Sequence, residues 1–430
     1  MTTLPMPTLN DLALGLPGYD ADDLPVDVAR DFIARMLPHV QAVEHLSLRS
    51  SLGRVLAQDI VSTIAVPPQD NAAMDGYAFR GDELRPGEAT VLTVAGIGLA
   101  GQLVGHDINA GHCARIMTGA VMPPGLDTVV PQELVQRDGN RITVPADAVK
   151  PGANRRLAGE DLARGSIALH AGRALRPADL GLVASLGRGE LPVRRRPRVA
   201  FFSTGNELRS VGEALDEGCV YDSNRYTLWG MLQRLGVEVL DLGIVRDEPA
   251  ALEAALRHAV ENADVVITSG GVSVGEADHT RAVMARLGEV LFWRIAMRPG
   301  RPMAVGRIAS QGREAVLFGL PGNPVAVMIG FYAFVRDALL AMSGATVRPL
   351  PMLQARCTAA IRKRPGRTEY QRGIVSRAAD GTWQVAITGS QGSGVLRSMS
   401  EANGLVVLAH EQGDVPAGSV VEIMPFDGLV

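Results

Sequence analysis

Lysine is almost missing from this 430-residue chain. Of 42 basic residues only Lys150 and Lys363 are lysines, an arginine bias that we ascribe in part to codon composition. Cysteine is as scarce. Cys113, Cys219 and Cys357 are odd in number and far apart, which excludes a disulfide framework or a zinc-ligand pattern and fits a reducing compartment. The N-terminal stretch has neither a cationic start nor a long apolar core and does not read as a signal peptide. The most apolar run, Val325 to Val335, ends at Arg336-Asp337 and is too short to span a bilayer. A large charge excess is also lacking. The net charge of −4 argues against a general nucleic-acid binder and against an anionic membrane surface as partner. The 48 glycines and 26 prolines stay below a low-complexity level and point to many tight loops. The expectation is a cytoplasmic globular protein of about three domains.

What is present is an ordered series of patterns. Residues 1–24 read as a flexible arm. Pro25 opens a helix with Val28, Phe32, Ile33, Met36 and Leu37 on one face, and a second short helix is expected around Leu52, Val55 and Leu56. Residues 25–60 and 153–196 form a linker domain in two segments, with a strand near Ile167 and a helix from Pro177 to Leu186. Residues 61–152 form an inserted small β domain, with a hairpin turning at Asp138-Gly139. Arg194 to Arg198, RRRPR, reads as a solvated boundary. Over 197–345, apolar strands alternate with helices. This predicts a central doubly wound, mostly parallel α/β domain covered on both faces. Residues 346–430 return to strands and predict a closed, barrel-like β domain with a hairpin at Asp380-Gly381.

Three loops follow strands of the α/β domain: FFSTGNEL (201–208), SGGVSVGEAD (269–278) and GLPGNP (319–324). Glycines after a strand let main-chain N–H groups converge on an anion at the next helix N-terminus. Three such loops at one sheet edge favour a phosphate site, at the position where open α/β sheets bind ligands. Glu207, Asp247 and Asp278 fall at the same edge. Carboxylates that close stay ionised together only with a cation, and a hard divalent ion shared with a phosphate is the natural one. Helix capping is the alternative for Asp247 and Asp278 taken singly. Arg294, Arg298 and Arg301 surround a Pro-Gly turn and offer planar forks for a tetrahedral oxyanion. Arg372 and Ser393 can join them only through tertiary or intersubunit contact.

Together NAAMDGYA (71–78), RIMTGA (115–120), GED (159–161), STGNEL, SGGVSVGEAD, RPGRP and LPGNPVA resemble the MoeA, or molybdopterin molybdenumtransferase, family, which includes the E domain of gephyrin. The resemblance runs from about residue 26 to the end. It implies a four-part protomer with a MogA-like pterin-nucleotide domain, working as a homodimer with a shared active-site cleft. It also implies insertion of molybdate, the co-substrate, into the dithiolene of adenylated molybdopterin, with Mg²⁺-dependent release of AMP. A transient contact with the molybdopterin adenylyltransferase would accompany the delivery of the pterin. By the same resemblance, Asp75, Thr118, Asp161, Glu207 and Asp278 are catalytic, with Asp75 and Asp161 as candidate proton donors. Arg156, Ser269, Gly270, Gly271, Ser273, Gly275, Pro321, Gly322 and Pro324 bind the pterin and AMP. Arg298, Arg301, Arg372 and Ser393 bind molybdate, and Glu207, Asp247 and Asp278 bind Mg²⁺. Three departures stand out. Arginine replaces the usual lysine at 294, 298 and 301, Asn206 replaces an aspartate, and His279 stands where tyrosine is frequent. A non-catalytic gephyrin-like scaffold and a tungstate-selective paralogue are the alternative readings.

Overall fold

The computed structural model describes residues 8–272 and 278–426, with Asp278 by its backbone alone. The chain divides into two compact units. One comprises Met1–Glu44, Gly53–Val55 and Arg194–Val430, the other His45–Leu52 and Leu56–Val193.

The first unit begins with a helix that the sequence reading placed in a flexible arm. Helix α1, Leu9–Leu14, is fixed by a capping box in which Thr8 and Asp11 each receive the other's main-chain N–H. Leu9, Ala13 and Leu16 reproduce a helical spacing, and together with Leu24 they are buried. Tyr19 accepts a hydrogen bond from Trp293 Nε1 at 2.9 Å. The expected arm is therefore packed from residue 8 onward, because Leu9, Ala13, Leu16 and Leu24 face the core while Leu14 stays exposed; residues 1–7 lie outside the described residues. Helix α2, Val26–Met36, follows Pro25 and buries Val26, Ala29, Phe32, Ile33 and Met36. The second short helix does not form. Arg49–Ser51 makes one 3₁₀ turn, and Gly53, at φ +72°, takes the chain out of helical geometry.

The second unit is built on a six-stranded sheet in the order Thr128–Pro131, Gly76–Phe79, His112–Ile116, Thr90–Gly98, Arg141–Val144, Gln136–Asp138. Alternate residues feed two apolar clusters. One holds Ala78, Ala114, Ile116 and Val129, the other Tyr77, Phe79, Leu92, Cys113, Val130 and Ile142. Helix α3, Pro177–Ser185, contributes Val183 to a third cluster with Ile60, Leu169, Leu191 and Val193.

The α/β sheet of the first unit contains β1 (Arg198–Thr204), β2 (Glu238–Val245), β3 (Val265–Ser269), β4 (Gly288–Arg294), β5 (Pro302–Ser310) and β6 (Arg313–Leu320). Their order is β2-β1-β3-β6-β5-β4. The four strands β2, β1, β3 and β6 run parallel, and β5 runs antiparallel to both of its neighbours. Helices α4 (Ser223–Leu235) and α5 (Pro249–Asn262) connect β1 to β2 and β2 to β3, and α6 (Asp278–Leu287) leads from β3 to β4. Apolar clusters cover both faces. RRRPR is tethered rather than solvated: Arg195 makes a two-pronged contact with Asp264 at 2.9 and 3.0 Å, and Arg198 bonds Glu238 at 2.7 Å.

The apolar helix after β6 runs past Arg336-Asp337 to Met342. It joins Pro324–Gly330, a π-helical turn Phe331–Val335 and Arg336–Met342. At 19 residues it is long and apolar enough to cross a membrane by length and composition, but 72% of its most apolar window is buried inside the protein. Arg336 and Asp337 pair with each other and so do not stop it, and the helix is part of the core. Finally, five strands close into a barrel in the order Thr368–Arg377, Trp383–Ile387, Leu353–Cys357, Val420–Pro425, Gly404–Leu408, with the last paired again to the first. Met297–Arg298, in the segment between β4 and β5, pairs in parallel with the barrel strand Thr368–Arg377.

Candidate functional site

The parallel strands are apolar until their last residues, where they turn polar on both faces. Phe201 and Phe202 give way to Ser203 and Thr204, and Ile267 to Thr268 and Ser269, all buried. Five buried polar atoms here have no hydrogen-bond partner among the described residues: Ser203 Oγ, Thr204 Oγ1, Thr268 Oγ1, Asn224 Oδ1 and Asp222 Oδ2. Burying such groups unpaired is costly. Their concentration at one sheet edge marks a place prepared for polar ligand atoms or water.

The three loops converge there. Asn224 Nδ2, in the first turn of α4, donates to Ser269 Oγ at 2.9 Å and to the Gly322 carbonyl at 2.7 Å. Gly270 N–H donates to the Leu320 carbonyl at 3.0 Å. Gly270 has φ +97°, and a Cβ there would sit 2.4 Å from the Thr204 carbonyl oxygen; at Gly271, φ +71°, a Cβ would meet Thr280 at 2.9 Å. Only glycine lets these loops approach so closely. Ser273, Gly275 and the Asp278 side chain lie outside the described residues.

Two of the three predicted acids can be placed. Glu207 is exposed and its carboxylate folds back over Gly205, where a Cβ would meet it at 2.6 Å. Asp247 follows the neighbouring strand β2, with Oδ1 3.5 Å from Thr280 Oγ1. Among the described residues no three His, Cys, Asp or Glu side chains come together to hold a metal ion. Glu207 and Asp247 each offer the hard carboxylate oxygen that Mg²⁺ takes as ligand.

The Pro321-Gly322 loop borders a second feature. A cleft of about 470 Å³ is lined by Arg298, Arg301, Pro321, Asn323, Arg367 and Ser393, among others. The Ser393 carbonyl accepts from Val325 N–H at 3.0 Å, which ties this wall to the PGNP loop. The Arg298 side chain has no hydrogen bond or ion pair among the described residues, and the Arg301 side chain has only Asp23 at 3.5 Å and the Asp22 carbonyl. Arg294, at the end of β4, is not part of the lining. Arg372 stands directly behind it, 1% exposed, donating to Ser398 Oγ and to the carbonyls of Ser390 and Gly392. Burial, and secondarily the Arg298 charge, lower its pKa to about 10. It remains a cation at neutral pH.

The other predicted residues belong to the second unit. Asp75 Oδ1 accepts from the Thr118 hydroxyl at 2.6 Å and from the Thr118 N–H at 2.7 Å. These bonds, with Arg115 nearby, hold its carboxyl below the usual range. The same bonds favour the carboxylate over the protonated form. Arg156 lies on a short strand paired with Asn71–Ala72, exposed, with Nε 4.0 Å from Glu160. Asp161 is exposed, with its N–H bonded to the Val66 carbonyl. The sequence reading missed Asn224, Asp222, Thr280 and Arg367. Asp222-Ser223-Asn224 carries a helix-start signal, with Asp222 capping Arg225 N–H. Arg367 ends a second copy of the Arg-Pro-Gly-Arg stretch found at 298–301.

Fold and site define a multidomain α/β protein whose glycine-turn sheet edge borders an arginine-lined cleft. Residues 24–187 match the MoeA N-terminal region (domain I and II), 200–341 a probable molybdopterin binding domain, and 354–426 the MoeA C-terminal region (domain IV). The chain is 40% identical over 408 residues to the molybdopterin molybdenumtransferase of Haemophilus influenzae, covering 95% of this chain and 100% of that one. It is 30% identical over 452 residues to gephyrin of Dictyostelium discoideum, covering 95% of this chain and 63% of that protein. A crystal structure of the molybdopterin biosynthesis MoeA protein from Pyrococcus horikoshii OT3 matches with a TM-score of 0.80 at 28% identity, over 94% of this chain and 100% of that one. The chain belongs to the MoeA family.

Proposed function

We infer that the protein is a molybdopterin molybdenumtransferase of molybdenum cofactor biosynthesis, a transferase that inserts molybdate into the dithiolene of adenylated molybdopterin and releases AMP. The observation that carries this reading is the shared Pro321–Asn323 loop. On one side of it lies a sheet edge with glycine turns and unpartnered hydroxyl and amide groups, which suit phosphate and pterin. On the other lies an arginine-lined cleft, which suits a tetrahedral dianion. Gephyrin-like scaffolding finds no comparable support.

In this reading Ser269, Gly270, Gly271, Gly322 and Asn224 orient the pterin nucleotide. Pro321 and Pro324 shape the loop that carries Gly322. Arg298, Arg301 and Ser393 hold molybdate, and Arg372 keeps the Ser390–Ser393 wall in place. Glu207 and Asp247, with Asp278, would hold Mg²⁺, which neutralises phosphate charge when bound. Held side by side, the two reactants meet as within one molecule, and orientation of this kind contributes up to about 7–11 kcal/mol. Asp75, Thr118, Arg156 and Asp161 of the second unit are assigned to the opposing wall of a cleft shared within a homodimer. The domain division proposed is 25–60 with 153–196, 61–152, 197–345 and 346–430; separate apolar clusters support it for 61–152 and for 46–60 with 153–196, whereas helix α2, Val26–Met36, packs into the α/β core. Three free, separated cysteines suit a cytoplasmic enzyme.

The test is AMP release from adenylated molybdopterin, titrated with molybdate and tungstate side by side. Glu207→Ala is expected to lose molybdate-dependent release while sedimenting as the wild type does. Full activity in that variant would remove Glu207 from the site.

A further inference from the structure

The arginine cleft contains a cation that neither spacing nor resemblance singled out. The sequence writes Arg-Pro-Gly-Arg twice, at 298–301 and at 364–367. Gly300 and Gly366 both adopt positive φ, +98° and +86°. The two turns are joined by main-chain pairing of Met297 with Thr368 and of Arg298 with Glu369. This pairing brings Arg367 to the cleft wall beside Arg298 and Arg301.

Arg367 is oriented by a carboxylate behind it. Glu369 is 1% exposed. Its Oε1 accepts from Arg367 Nε at 2.9 Å and stands 2.8 Å from Arg367 Nη2. Its Oε2 accepts from Gln371 Nε2 at 3.0 Å. Both oxygens are thereby engaged, and Arg367 Nη1 has no hydrogen-bond partner among the described residues. The buried carboxylate also offsets the repulsion that a third guanidinium would otherwise meet from Arg298 and Arg301. Arg298, Arg301, Arg367 and Arg372 stand against the carboxylates of Asp23 and Glu369, while Lys363 and Glu411, close to the Arg367–Glu369 pair, offset each other. That excess of positive charge matches a doubly charged oxyanion better than a singly charged one.

Resting on the molybdate reading above, we propose that Arg367, positioned by Glu369, is a further oxyanion-binding residue of this cleft and sets its preference for tetrahedral dianions. A forked donor fixed from behind recognises two oxygens of such an anion at once.

Molybdate binding to the full chain, measured by equilibrium dialysis, tests this with Arg298→Gln, Arg367→Gln, Arg367→Lys and the double variant Arg367→Gln/Glu369→Gln. The double variant removes the buried charge together with its partner, so it separates lost binding from lost folding. Arg367→Gln and the double variant are each expected to weaken molybdate binding about tenfold or more. The KM for molybdate should rise in parallel, while the KM for adenylated molybdopterin stays within about twofold. Arg367→Lys should recover part of the loss. Sulfate should compete in the wild type far better than perchlorate, and the gap should narrow without Arg367. Unchanged molybdate binding in Arg367→Gln, with binding lost in Arg298→Gln, would overturn the role of Arg367 alone. A wild-type protein that binds no molybdate, or an Arg298→Gln variant that binds it normally, would overturn the cleft assignment itself.

Discussion

The sheet edge and the arginine cleft share one loop but are built on opposite terms. Behind the cleft, the main-chain N–H, Nε and Nη2 of Arg372 are all bonded to protein. Its N–H meets Gln391 Oε1 at 2.8 Å, Nε meets Ser398 Oγ at 3.0 Å, and Nη2 meets two carbonyls. Gln391 in turn donates to Thr388. At the sheet edge, Ser203, Thr204, Thr268, Asn224 and Asp222 each keep a buried atom unpartnered. One region holds its shape with its own bonds, and the other leaves bonds for a ligand to make. Mutations should therefore cost stability at the wall behind the cleft and ligand affinity at the sheet edge. Arg372→Ala gives the largest expected effect. It strips charged hydrogen bonds from a buried wall and leaves carbonyls unpaired, a loss of about 3 kcal/mol, read by urea denaturation, with molybdate binding lost as well. Unaltered stability would break the contrast.

The glycine turns come next. At Gly270 a side chain meets both a positive φ and a carbonyl at 2.4 Å, whereas Gly389, near the cleft, has open space around it. Gly270→Ala should cost about 2 kcal/mol from backbone strain alone and raise the KM for the pterin nucleotide. Gly389→Ala should melt at the wild-type temperature and keep its activity. Equal melting temperatures for the two variants would show that the edge tolerates displacement.

The same difference explains what the sequence disclosed. Apart from Arg198, strands β1 and β3 are apolar up to two closing polar residues, β6 is apolar over its last six, and each is followed by a glycine loop, so strand, loop and helix are neighbours in the chain and readable together. Strand β5 escaped notice because Gly306 and Arg307 interrupt its apolar run, and only its pairing with β4 and β6 supplies the burial. The first turn of the chain was hidden in the same way: Leu9, Ala13 and Leu16 are too few to signal a helix until a core receives them. The cleft draws on residues 298–301, 321–323, 367 and 391–393. No local pattern joins them. Resemblance supplied Arg372 and Ser393, and tertiary pairing alone supplied Arg367. The second unit is intermediate, since Asp75 and Thr118 were each legible by motif, but their mutual hydrogen bonds, which keep Asp75 ionised, were not.

The smallest change is also the sharpest. Asn224→Ala removes two donated bonds that tie Ser269 to Gly322, and it removes an acceptor, Oδ1, that the ligand-free protein leaves unpaired. The lost donations cost about 1 kcal/mol, and removing the unpaired acceptor relieves part of that. Net destabilisation should therefore be at or below that figure, a small shift in the denaturation midpoint. Ligand binding should respond differently, because a pterin nucleotide would meet both a loosened loop and a missing acceptor. The KM for adenylated molybdopterin should rise about tenfold while molybdate affinity changes little. If stability fell sharply and the KM did not move, Asn224 would belong with Arg372 as scaffolding, and the division between a self-bonded cleft and a ligand-completed edge would fail at the residue that touches both loops.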